Sequence, residues 1–249
     1  MKWFKGYRCA LSLTFDDGLR SQLNVAVPLL DRYEFNATFY ICPSGDDWKN
    51  RFRSWSDVAS IGHEIGNHTL SHPCPCNPSE NPRGHCLENM TLQEIERDIL
   101  VAQARIEEIA PRKSYTFAYP CYETEVGRGI ERRSYVPIVA KYFIAARAGC
   151  ELSVCANSPK TCDLYKLLSW RVERTKGDTL IGLTIRALIE RRWIIFTFHG
   201  IDEGHLPVSK YDLEMFLEFL STYDDEIWIA PVCEIAEHII KIRREIGIK

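Results

Sequence analysis

Short β-rich apolar runs alternate with longer helical patterns along most of the chain, and this alternation restricts the fold more than any other feature. Extended runs fall at residues 9–15, 37–42, 64–66, 114–119, 142–146, 167–172, 193–198 and 226–230. Helical patterns are predicted at about 24–33, 55–61, 91–109, 127–141, 177–190, 210–223 and 232–245. Parallel strands need a crossover between them and a helix is the usual one, so the order predicts an α/β parallel sheet, closed as a barrel or doubly wound. A chain of 249 residues with 45% apolar content can bury a core of that size as a single domain, 1–249.

The clearest helix opens at Thr91, with Glu94 placed to complete a capping box, and carries Ile95, Ile99, Ala102, Ile106 and Ile109 as one apolar stripe. Pro111 ends it. Residues 73–90 are rich in turn formers and lack periodicity, so they read as a long loop, a length that is uncommon unless the loop shapes a site.

Net charge of −3 supplies no basic field for nucleic acid or an anionic membrane, and no run is long and apolar enough for a spanning helix. The first residues lack an apolar signal core, which fits a cytoplasmic protein as written and an extracellular or periplasmic one if a leader has been trimmed.

Two polar motifs end apolar runs. The first is Thr14-Phe15-Asp16-Asp17-Gly18. Neighbouring side chains of a strand face opposite ways, so Asp16 and Asp17 meet at one site only if the chain leaves β geometry there, which Gly18 permits. The second motif is His68-Thr69-Leu70-Ser71-His72. Its histidines are four apart, a spacing that one helical turn would present on one face toward one metal, with Asn67 as a cap. A carboxylate and two imidazoles leave a metal with open positions, and a second carboxylate beside them suits a base.

With Phe117-Ala118-Tyr119-Pro120 and Ile195-Phe196-Thr197-Phe198-His199-Gly200 following in order, the chain resembles the polysaccharide deacetylase family, carbohydrate esterase family 4, built on the NodB-homology domain. That resemblance implies a distorted (β/α)7 barrel and a divalent metal on Asp17, His68 and His72: zinc first, with Co2+, Ni2+ or Mn2+ as alternatives. It also implies Asp16 as general base, His199 as general acid, and an acetylated oligo- or polysaccharide as substrate, losing an N- or O-linked acetyl group. The backbone N–H of Cys121 is implied as an oxyanion donor, with Tyr119, Pro120 and Trp170 beside the substrate.

The chain departs from the family pattern at Ala118, where an arginine commonly orients the base. Arg171 is the expected replacement and Arg147 the alternative. The missing arginine also leaves room for a sugar-binding protein without catalysis, and the fold suits hydrolysis of a small non-carbohydrate amide. Cys74, Cys76, His85 and Cys86 fit a disulfide, a structural metal or free thiols, and Cys150, Cys155 and Cys162 would suit bridges in an oxidising compartment. His63, His205 and His238 read as packing or loop residues. Oligomeric state has no signature here.

Overall fold

The computed structural model describes residues 3–76, 85–149, 156–204 and 206–247. Strands β1 (Cys9–Asp16), β2 (Thr38–Ile41), β3 (Glu64–Asn67), β4 (Thr116–Ala118), β7 (Ala145–Arg147), β9 (Trp170–Arg171) and β10 (Trp193–Phe198) form a curled parallel wall. Its order is β7-β4-β3-β2-β1-β10-β9. The edges approach through Leu167, whose N–H donates to Ala146 O and whose carbonyl accepts from Ala148 N. The result is a distorted (β/α)7 barrel. The smaller strands are accessories: β8 (Ala156–Asn157) runs antiparallel to the start of β10, and β11 (Ile227–Ile229) pairs Cys9–Leu11 of β1. A hairpin of β5 (Glu125–Val126) and β6 (Arg133–Ser134) lies apart from the wall.

Helices α1 (Val27–Arg32), α2 (Trp48–Arg51), α3 (Ser54–Ser60), α4 (Leu92–Ile109), α5 (Val136–Tyr142), α6 (Gly177–Glu190), α7 (Lys210–Ser221) and α8 (Val232–Glu245) cover the wall. The outward strand residues Leu13, Phe15, Phe39, Ile65, Phe117 and Phe196 form the main core with the helices. Phe15 stacks between Phe39 and Phe198, with both centroid distances 5.0 Å. Burying one such side chain contributes about 1.5–3 kcal/mol.

Inward positions combine a second apolar cluster, in which Trp193 and Ile195 pack against Val232, Ile235 and Ile239 of α8, with a buried polar set. Thr38 and Thr116 hydroxyls donate to the buried Glu64 carboxylate, which also accepts from Cys233 N in the first turn of α8. A helix N-terminus favours an anion there, so α8 plugs the lower end of the barrel by a specific polar contact.

The expected helix at 127–141 is reduced to α5. Gly127 and Gly129 adopt positive φ, and the hairpin takes the segment before Pro137 starts the helix. The long α4 has the expected capping box, with Thr91 Oγ1 accepting from Glu94 N and Glu94 Oε2 from Thr91 N.

Candidate active site

The motifs gather at the C-terminal ends of the strands, where parallel α/β barrels carry their chemistry. Asp16 ends β1 in register with Tyr40, and the chain leaves β geometry at the next residue: Asp17 has φ 75° and Gly18 φ 64°. This break turns both carboxylates toward one site. Gln22 Nε2 donates to the carbonyls of Asp16 and His199, at 2.5 and 3.1 Å, and so ties the ends of β1 and β10 together.

Residues 68–72 are not a helical turn. Thr69 and His72 are both left-handed, with φ 65° and 52°, because side chains redirect the loop. Asn67 Oδ1 accepts from Thr69 N, Thr69 Oγ1 from His72 N, and Asp98 Oδ2 on α4 from both Leu70 N and Ser71 N. The two imidazoles still converge, their centroids 4.8 Å apart.

Asp17 Oδ1 lies 3.4 Å from His72 Nε2 and 3.9 Å from His68 Nε2. One ligand atom from each of these residues falls within 4.8 Å of the others. Two features fit a divalent cation. His68 Nδ1 is 2.8 Å from Ala118 O and can only donate there, which leaves the Nε2 lone pair facing Asp17. Burial, the largest influence, lowers the His68 pKa to about 4, so the ring is neutral. The His72 and Asp17 side chains are 22% and 26% exposed, which opens this side to solvent.

Asp16 is enclosed. Its Oδ2 accepts from Arg147 Nη2 at 2.5 Å, and lies 3.7 Å from His68 Nε2 and 4.0 Å from His199 Nε2. Its Oδ1 is buried with no hydrogen-bond partner among the described residues. Burial opposes ionisation, but the Arg147 guanidinium holds the carboxyl below its usual range.

The arginine on Asp16 is therefore Arg147, not Arg171. Arg147 is fully buried on β7 and is the register partner of Ala118, so the guanidinium arrives from the strand next to the one that carries the departure. Its Nη1 also donates to Thr197 Oγ1, and its guanidinium lies over Tyr40. Arg171 is exposed because β9 ends at the rim; it lies over the Tyr122 ring, centroid 4.7 Å away.

The expected substrate-side residues separate. Tyr119 is 1% exposed, with its hydroxyl donating to Tyr165 O and its ring against Phe117 and Tyr135, so its side chain is core. Pro120 is buried at the start of a tight turn, Pro120–Tyr122, and Trp170 is half-buried against the core. Cys121, with φ 51°, is bonded to Cys74. The second bridge, Cys76–Cys86, rules out the four-ligand zinc cluster drawn from Cys74, Cys76, His85 and Cys86. Cys150, Cys155 and His205 lie outside the described residues. His63 is a packing residue whose Nδ1 accepts from Ala37 N. Asp98, Gln22 and Tyr122 had no readable motif; each is identified by what it touches after folding.

The family described as polysaccharide deacetylase matches residues 7–126. A gellan lyase from Bacillus sp. is 25% identical over 260 residues, an alignment that takes in 95% of this chain and 10% of the lyase. The chain thus spans about a tenth of the length of that curated relative. A solved structure from Mycobacterium smegmatis, titled as a polysaccharide deacetylase, aligns over 100% of this chain and 94% of its own, with TM-score 0.67 and 16% identity. The family 4 carbohydrate esterase domain of a multidomain xylanase, from the hindgut metagenome of Trinervitermes trinervoides, aligns over 92% of this chain and 90% of its own. Its TM-score is 0.56 at 15% identity. A pseudoenzyme of the same esterase family from Bacillus anthracis covers 91% of this chain, aligned over 65% of its own, with TM-score 0.57 at 15% identity.

Proposed function

The chain belongs to the polysaccharide deacetylase family, and from that premise we propose that it is a metal-dependent hydrolase that removes acetyl groups from a carbohydrate. One observation carries the reading: an enclosed carboxylate held by a buried arginine stands beside a carboxylate and two imidazoles that share a solvent-facing focus. A separate base and metal-ligand set are what water attack on an acyl carbon requires.

Asp17, His68 and His72 would hold the metal. When bound, a divalent cation supplies Lewis acidity to the acyl oxygen and acidifies a nearby water. Asp16, ionised and anchored through Oδ2, accepts the proton of the attacking water as the water oxygen bonds to the acyl carbon. The Cys121 N–H donates to the oxygen that gains charge, a contribution of about 10²–10³ in rate for a single donor. His199 protonates the leaving nitrogen or oxygen, and acetate departs. Arg147 keeps Asp16 ionised and in one rotamer throughout. Its placement answers the departure at Ala118 and favours catalysis over sugar binding without turnover.

The gellan lyase relative is named for a polysaccharide, which supports a carbohydrate substrate. The test is acetate release from acetylated chito-oligosaccharides, acetylated xylan and an aryl acetate, using chelated protein with and without added zinc or cobalt. Metal-dependent release is expected, lost together with bound metal in Asp17→Ala. No release from any substrate by protein shown to hold metal would overturn the proposal and turn attention to small amides.

A further inference from the structure

The Cys74–Cys121 disulfide joins two loops 47 residues apart in sequence at the edge of the site, with Cα atoms 5.6 Å apart. On one side, Cys74 follows His72 by two residues, and its Sγ lies 3.6 Å from His72 Nδ1. On the other, Cys121 sits in the turn Pro120–Tyr122, whose N–H the mechanism above uses.

Left-handed backbone lies at the Cys121 end of this cross-link and two residues before its Cys74 end. Cys121 and Tyr122 are consecutive left-handed residues with φ 51° and 61°, and His72 has φ 52°. Non-glycine residues occupy that region at a cost and persist there only when their surroundings over-determine them. Part of the constraint is visible as packing. The Tyr122 ring lies between the guanidinium groups of Arg147 and Arg171 and so close over Gly149 that a Cβ there would come within 2.6 Å of it. The other part is the disulfide, which fixes the turn directly to the loop that presents His72. The second bridge, Cys76–Cys86, closes a separate ten-residue separation and reaches neither Cys121 nor the turn.

We propose that Cys74 and Cys121 are positioning residues: their disulfide holds the left-handed turn at 120–122 in register with the His72 loop, and deacetylation depends on it remaining oxidised. This rests on the activity proposed above. A dithiol reductant would break the S–S bond, leaving two thiols and becoming a cyclic disulfide itself, so two electrons and two protons are accounted for. Cys121 is half-buried, which gives a small dithiol access.

The experiment compares oxidised wild type, wild type treated with a dithiol, Cys74→Ser/Cys121→Ser and the control Cys76→Ser/Cys86→Ser. Three readouts are taken: kcat and KM for acetate release, metal stoichiometry, and amide hydrogen exchange. In the first double variant kcat is expected to fall by about tenfold or more, toward the 10²–10³ of one lost oxyanion donor, with KM within about threefold and metal retained. The amides of Tyr122 and Glu123, which donate to Tyr119 O and Pro120 O, are expected to lose protection while α4 keeps its own. Dithiol treatment should reproduce both changes in wild type and add nothing to that variant, and the control pair should retain its kcat. Unchanged exchange at Tyr122 and Glu123 in the variant and in reduced wild type would overturn the proposal, as would loss of metal in step with kcat. Should oxidised, metal-loaded wild type release no acetate, the activity reading and the catalytic claim fall together, while the exchange result still decides whether the bridge holds the turn.

Discussion

At the scale of single residues, the site depends on how Asp16 is kept charged inside the barrel. Its ion pair with Arg147 has both side chains almost fully enclosed, 0% and 4% exposed, so neither charge can retreat to water if the other is removed. Breaking a buried pair by deleting one partner typically costs about 3–5 kcal/mol, because the survivor is left uncompensated. Arg147→Met is therefore expected to lower unfolding free energy by about that amount in urea titrations. It should also reduce acetate release by at least about 10²-fold, the low end of what a general base contributes, with metal still bound. Unaltered stability would mean that Asp16 finds another counter-charge. Arg171→Met is the contrast: its exposed guanidinium touches a ring and, among the described residues, no carboxylate, so stability should change little.

At the scale of elements, the loop that carries His68 and His72 depends on α4. Asp98 reaches from the helix to accept two consecutive backbone N–H groups, of Leu70 and Ser71, between the two histidines. Among the described residues Asp98 is the acceptor for both donors, because a loop with left-handed residues at 69 and 72 makes no ladder of its own. Groups that orient ligands typically matter by 10–100-fold in metal affinity. Asp98→Ala is expected to weaken zinc binding by about tenfold or more in competition with a chromophoric chelator, while Glu94→Ala, on the first turn of the same helix, leaves it unchanged. Equal affinity in both variants would show that the loop holds its shape without the helix.

At the scale of the whole molecule, the proposed metal site is linked to folding through protons. His68 has a folded pKa of about 4, set by burial, against about 6.5 in an unfolded chain. Between those values the unfolded state binds a proton that the folded state does not, so the stability of metal-free protein must fall as pH drops from about 6.5 to 4. The loss from this one residue is about 3 kcal/mol, and it should vanish in His68→Gln measured across the same window. A wild-type curve parallel to that of the variant would show that the ring is protonated in the native state. Bound metal should extend the dependence below about pH 4, since it keeps that nitrogen from taking a proton in the folded state while the unfolded chain still takes one.

The alternation of apolar runs and helical patterns was legible because burial imposes a period of two or 3.6 on any chain that folds this way. It placed β10, α6 and α8 to the residue and the other main wall strands to within a few positions. The two aspartates and three histidines were legible as chemistry because each lies in a short motif at the end of a strand. Other features depended on which strands became neighbours. The arginine that supports Asp16 stands 131 residues from it and comes within reach only because β7 pairs with β4 at the register of Ala118. The same holds for the Cys74–Cys121 bridge and for Asp98 beneath the histidine loop. Periodicity and local motifs are properties of neighbours along the chain and can be read there. The partners of a buried charge, a strained turn or a cysteine are set by how the sheet curls and closes, and the tertiary structure alone decides that.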